Sequence, residues 1–226
     1  FTDNLNGSGT FDWMPGFEDE GSYLVTFYAS DGVATDSEVV TITVTNTNRD
    51  PILDAVGDQT IAENSLLNFN VTASDPDGNI PTLTTSTLPT GATFTDNLNG
   101  SGTFDWTPGF EDEGSYPVTF YASDGAATDS EVVTITVTNT NRDPVLDAIG
   151  DKTIAENSNL NFTVTSSDPD GTTPTLTTST LPTGATFTDN LNGSGTFDWT
   201  PGFEDEGSYP VTFYASDGAA TDSEVV

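Results

Sequence analysis

The stretch GSYPVTFYASDGAATDSEVVTITVTN, residues 114–139, decides the fold. Tyr116, Val118, Phe120 and Ala122 alternate with Pro117, Thr119 and Tyr121, and Val133, Ile135 and Val137 alternate with Thr134, Thr136 and Thr138. Successive residues of a strand point to opposite faces, so each run reads as a strand with one apolar and one polar face. SDGA between them supplies the Asp and Gly that a reversal uses.

The pattern extends outward. Leu160, Phe162 and Val164 alternate in LNFTV, and further strands are expected near residues 51–56, 82–87, 92–95 and 102–106. DPDG, NLNGSG and TPGFEDEG mark turns between them, and no segment sustains a helical period. About seven short strands in some 90 residues predict an all-β, two-sheet sandwich. Its central filler is expected to be Phe104 with Trp106, two apart on one strand face, repeated as Phe11 with Trp13 and Phe197 with Trp199. An exposed Trp would instead stack on a sugar ring.

The chain also repeats itself. FTDNLNGSGTFDW starts at Phe1, Phe94 and Phe187, so the period is 93 residues. Residues 1–48 differ from 94–141 only at Met14/Thr107, Leu24/Pro117 and Val33/Ala126; residues 49–133 differ from 142–226 at eight positions, among them Ile52/Val145, Gln59/Lys152 and Leu66/Asn159. This divides the chain into the C-terminal half of a repeat (1–48), a complete repeat (49–141) and a repeat without its last strand (142–226). Two arrangements account for the ragged ends: strand donation between identical chains, or a window from a longer tandem array. Donation would duplicate residues 1–40 against 187–226, so the array is the expectation.

Composition narrows the partners. There are 36 acidic residues against Arg49, Arg142 and Lys152, a formal charge of −33. Nucleic acid and anionic membranes are repelled, and no apolar run approaches the roughly 20 residues that span a bilayer. With no cysteine and no histidine, disulfides, metal thiolates and the usual Ser/His and Cys/His nucleophiles are all missing. Paired carboxylates suit glycoside hydrolysis, but a catalytic pair copied every repeat in a small sandwich is not expected, so the segment reads as non-enzymatic. A content of 33% hydrophobic and 10% aromatic residues supports a core rather than disorder.

The complete repeat carries 14 acids and one Arg. Charge of that density opposes compaction unless it is screened or bridged. A high-salt habitat or divalent cations would do this. Calcium takes six to eight oxygens at roughly 2.3–2.6 Å, from carboxylates, amide oxygens and carbonyls. The acids of AEN, SDPDG, FEDEG and ASDG and the Asn and Asp residues of NTNRDP fall in turns and linkers that can supply them. Each also has a plainer reading: DPDG is a good turn on its own, and FEDEG a solvated loop.

Together, ITVTNTNRDPVLDAIGDKTIAENSNLNFTVTSSDPDG, LPTGATF and GTFDWTPGFEDEGSYPVTFYASDG resemble the immunoglobulin-like, cadherin-like repeats of bacterial and archaeal surface proteins. The resemblance spans the whole repeat. It implies seven-stranded Greek-key sandwiches strung through a large extracellular protein, without catalysis. A more distant resemblance to true cadherins implies a calcium site at each junction. One junction would use Glu63, Glu111, Glu113, Asn139, Asn141, Asp143, Asp168, Asp170 and Asp217; the preceding one would use Glu18, Glu20, Asn46, Asn48, Asp50, Asp75, Asp77 and Asp124. Arg142 departs from the cadherin pattern where an aspartate is usual, so one or two ions, or an Arg142 salt bridge in place of one, are expected.

The expected function is therefore a structural segment of an extracellular prokaryotic fibre or adhesin stalk, stiffened by Ca2+ and contacting neighbouring repeats or identical chains. Two alternatives stay open. One is a carbohydrate-binding accessory of a secreted enzyme, with Tyr121, Tyr28 and Tyr214 facing surface glycans; the other is homophilic cell adhesion. Asn70, Asn99 and Asn161, with Asn6 and Asn192, fit the N-glycosylation triplet, which occurs often by chance in so Asn/Thr-rich a chain.

Overall fold

The computed structural model describes residues 1–226 and contains no helix. It divides into two compact units, Phe1–Thr138 and Asn139–Val226.

The first unit opens with two short strands, β1 (Thr2–Asp3) and β2 (Gly9–Thr10), and a hairpin of β3 (Gly21–Ser30) and β4 (Thr35–Val44). A complete sandwich follows, made of β5 (Ile52–Leu53), β6 (Gln59–Ala62), β7 (Leu67–Ser74), β8 (Thr82–Thr85), β9 (Thr93–Asp96), β10 (Ser101–Trp106), β11 (Gly114–Ser123) and β12 (Thr128–Thr138). One sheet runs β5-β7-β10-β9 and the other β6-β12-β11-β8. The strand expected near residues 51–56 is only β5, and β6 is an additional strand beyond it. β5 pairs antiparallel with β7 in one sheet, and beyond Gly57, at φ 73°, β6 pairs parallel with β12 in the other. A positive φ suits glycine, which has no Cβ to clash.

The two alternating runs pair as the hairpin β11–β12, from Gly114↔Val137 to Ser123↔Thr128. Their apolar faces close on β7 and β10. Phe104, Trp106, Val71, Val118, Phe120, Val133 and Ile135 are all buried. Phe69 stacks on Phe104 with ring centroids 4.9 Å apart, and Phe120 meets Phe104 edge-on at 6.2 Å. Trp106 is only 2% exposed, its indole Nε1 donating to the Thr90 carbonyl at 3.1 Å. The sugar-stacking reading of this Trp is therefore excluded by burial. The hairpin β3–β4 has nearly the sequence of β11–β12 but no complete opposing sheet, and Phe27, the counterpart of buried Phe120, is half-buried.

The second unit repeats the plan with β13 (Val145–Leu146), β14 (Leu160–Ser167), β15 (Thr175–Thr178), β16 (Thr186–Asp189), β17 (Ser194–Trp199), β18 (Thr212–Ser216) and β19 (Thr221–Val225). Its sheets run β13-β14-β17-β16 and β15-β18-β19 around Phe197, Trp199 and Phe213. β6 depends on the residues Ile135–Thr138 of β12. Residues 152–155, the counterparts of β6, form no strand. A groove of about 950 Å3 is lined by Ile154, Leu160, Phe162, Trp199, Val211 and Val226.

Candidate inter-repeat joint

Most acidic side chains serve the protein's own backbone. Where the first strand changes sheets, the amides of Leu53, Val56 and Gly57 face neither ladder. Asp129 on β12 accepts from Leu53 N at 2.8 Å, and Glu131 accepts from Val56 N and Gly57 N at 2.8 and 3.2 Å. Asp58 returns the favour to Thr134 N at 2.8 Å. Asp222 and Glu224 make the same bonds to Leu146, Ile149 and Gly150 in the second unit. Asp96 accepts from Leu98 N in its own turn and from Leu83 N across the sandwich, joining β9 to β8. Sequence reasoning missed this role, because the partners of Asp129 and Glu131 lie 74–76 residues away.

The linker residues Asn48 and Arg49 meet two turns of the sandwich they precede. In DPDG, Asp75 Oδ1 accepts from Asp77 N at 2.7 Å, folding an Asx turn that aims the Asp77 carboxylate at the linker. Asp77 Oδ2 accepts from Arg49 N at 2.7 Å, and Oδ1 accepts from Arg49 Nε at 2.6 Å. The Arg49 guanidinium also donates to the Pro76 carbonyl, and its Nη2 reaches Glu18 at 3.0 Å. In SDGA, Asp124 Oδ1 accepts from Ala126 N and Ala127 N, both at 2.7 Å, while Oδ2 accepts from the Asn48 amide at 2.8 Å.

The second unit repeats this geometry. Arg142 N and Nε both donate to Asp170 at 2.6 Å, Nη2 donates to the Pro169 carbonyl at 2.6 Å, and Asn141 donates to Asp217 at 2.8 Å. Asp77 and Asp170 are deeply covered, with 5% and 6% of their side chains exposed. Arg142 forms a salt bridge to Asp170 at 2.6 Å.

Of the carboxylates and amides expected at the junctions, the structure brings Asn48, Asp77, Asp124 and Glu18 around the linker of the first unit, with Asn46 also bonded to Asp77. It brings Asn141, Asp170 and Asp217 around the linker of the second. Glu20, Asp50, Glu113, Asn139 and Asp143 are exposed, as is Glu111, while Glu63 is buried after β6 with its amide bonded to the Thr138 carbonyl at 3.0 Å. Within neither unit do three carboxylates converge on one point. Asp75 Oδ2 and Asp168 Oδ2 are buried without a hydrogen-bond partner, one such oxygen per pole. Asp77 and Asp170 are bound by arginine, and Asp124 and Asp217 by amides.

These bonds hold the carboxyls of Asp77 and Asp170 below the usual carboxylate range, chiefly through the arginine's backbone N–H and then its guanidinium. Asp124 and Asp217 are lowered by the Ala127 and Ala220 amides first, then by the Asn side chain. A carboxyl whose pKa falls on folding stabilises the fold above its unfolded value of roughly 3.9, and that contribution is lost as pH drops through the folded value. The gap in urea midpoint between the native chain and D77N/D170N is therefore expected to be constant above about pH 5 and to shrink below about pH 4. A gap that persists undiminished at the acid end would contradict the assignment.

The other sequence candidates fall as follows. Tyr121 and Tyr214 do face away from the core but are half-buried in the sheet surface, and only Tyr28 is broadly exposed. They form no open aromatic platform. Asn70, Asn99 and Asn161 are exposed, but the Asn161 amide donates to Asp198 at 2.8 Å and Asn99 Oδ1 accepts from Ser101 N and Oγ.

Residues 50–138 and 143–226 each match the family model He_PIG, "Putative Ig domain". The chain belongs to this family. Comparison with curated proteins found no match. Among solved structures, the He_PIG chain is similar to the titin fragment I67–I69, at 12% identity and a TM-score of 0.42, over 93% of this chain and 74% of that one. It is also similar to the endo-fucoidan hydrolase MfFcnA4 of glycoside hydrolase family 107, at 20% identity and a TM-score of 0.38, over 93% of this chain and 34% of that one. The He_PIG chain thus spans about a third of the hydrolase's length.

Proposed function

We propose that these He_PIG repeats are a structural segment of an extracellular prokaryotic stalk or fibre, spacing and orienting other parts of a larger protein without catalysing a reaction. One observation carries this reading. Each repeat holds its own N-terminal linker to its pole by the same bonds, Asn48–Asp124 and Arg49–Asp77 in one, Asn141–Asp217 and Arg142–Asp170 in the next. A linker fixed in this way leaves its sandwich in a set direction, as a spacer requires and a flexible tether does not. Trp106 and Trp199 are buried and Tyr121 and Tyr214 half-buried, which leaves Tyr28 as the one broadly exposed ring of the carbohydrate-binding alternative and weighs against it. In this proposal calcium is an added ligand at the pole, taken through the open oxygens of Asp75 and Asp168, and is not what makes the joint. Antibodies raised against the recombinant chain are expected to label intact source cells and filaments in immunogold images. Labelling confined to permeabilised cells would reject the proposal.

A further inference from the structure

The turn NLNGSG stands between β9 and β10 at residues 97–102 and recurs at 4–9 and 190–195. It holds its two asparagines in opposite ways. Asn97 is pinned by its nitrogen, Nδ2 donating to Ser101 Oγ at 3.1 Å and to Thr103 Oγ1 at 3.3 Å. Asn99, exposed at the tip, is held by its oxygen alone: Oδ1 accepts from Ser101 N at 3.0 Å and from Ser101 Oγ at 2.7 Å. Asn6 with Ser8 and Asn192 with Ser194 repeat both bonds, at 3.1 and 2.7 Å. Two donors on a carboxamide oxygen draw electrons from Cγ and steady the negative charge that the oxygen gains when a nucleophile adds. The bond from Oδ1 to the amide two residues on also curls the side chain back over the Asn99–Gly100 peptide. The next residue supplies the nucleophile. Gly100, at φ 81°, has no side chain to screen its N–H, whereas Asn97 is followed by Leu98.

We propose that each NLNGSG turn is a self-modification site, at which the second asparagine becomes aspartate or isoaspartate with the assistance of the serine two residues on. Gly100 N loses its proton to hydroxide and bonds to Asn99 Cγ; the Cγ–Nδ2 bond breaks, and the nitrogen leaves as ammonia with a proton from water. Water then opens the succinimide at either carbonyl. One water is consumed and one ammonia released, with no oxidation or reduction. Each event adds a negative charge to an exposed tip, so conversion of Asn6, Asn99 and Asn192 takes the formal charge from −33 to −36. The isoaspartate product also lengthens the main chain inside the turn that Asn97 N closes on Ser101 O at 2.9 Å. None of this rests on the stalk reading.

The test incubates the whole folded chain at neutral to mildly alkaline pH and follows aspartate formation by peptide mass spectrometry. The three turns share one sequence, so S101A gives its own turn a distinct mass and leaves Asn6 and Asn192 as references in the same molecule. In the native chain the second asparagine is expected to convert faster than the first, at a rate that rises with hydroxide. S101A removes one of the two donors and is expected to slow Asn99 about tenfold against the reference turns, less than in a buried site because water reaches this tip. S101T, which keeps the hydroxyl, is expected to keep the native rate. Conversion of S101A as fast as the reference turns would overturn the proposal. So would conversion seen only in urea, where the Ser101 bonds are gone.

Discussion

Replacing Trp106 by alanine is expected to unfold the complete repeat selectively while the second unit stays folded. The indole fills the space between the two sheets, 2% exposed, edge-on to Tyr116 at 4.9 Å. It also bonds the Thr90 carbonyl, which the substitution leaves without that donor. Trp to Ala in a core costs about 3–5 kcal/mol, against a total of about 5–15 kcal/mol for a domain. Urea unfolding followed by amide spectra should therefore split, residues of β7, β10, β11 and β12 melting well before those of β14, β17 and β18. W199A should reverse the order. A loss under about 1 kcal/mol would place Trp106 among surface residues and bring back the sugar-stacking reading.

The second large effect belongs to the strand switch. Removing both acids in D129A/E131A takes the acceptors from Leu53, Val56 and Gly57, amides that lie between the two ladders. An orphaned buried donor costs about 1–3 kcal/mol, and water will satisfy part of this set, so a combined loss of about 2–4 kcal/mol is expected. Hydrogen exchange separates the cause from general weakening. The three amides should lose protection first, by a larger factor than amides of β7 or β10. If all amides accelerate equally, the acids act only through overall charge.

The strands and the core were legible because their signal is local. Alternation over a few residues places Val118, Phe120, Val133 and Ile135 on one face, and the pair Phe104 and Trp106 two apart fixes the filler. The strand beyond Gly57 was not legible. Residues 51–56 read as a strand and β6 at Gln59–Ala62 was missed, since only pairing with β12, far along the chain, makes it a strand of the other sheet. The acids were hardest. An Asp or Glu looks alike in sequence whether it faces water, an ion or a backbone amide, and Asp129 differs only through a partner 76 residues distant. Arg142 was visible as a departure from the cadherin pattern. That departure points to the joint, because a buried carboxylate such as Asp170 requires a cation nearby.

The parallel pairing of β6 with β12 bears on how a repeat would respond to a pull on its two ends. If the proposed stalk carries tension, the load enters a repeat through the linker and β5, reaches β6, and leaves from the end of β12. Because the two strands run the same way, pulling them apart slides one along the other, and the bonds from Ile135–Gln59 to Thr138–Ala62 are strained together. An antiparallel hairpin pulled at its open end would instead unzip one bond at a time. Rupture of a repeat thus requires a cooperative shear event, so each sandwich should resist brief tugs far better than its modest equilibrium stability suggests.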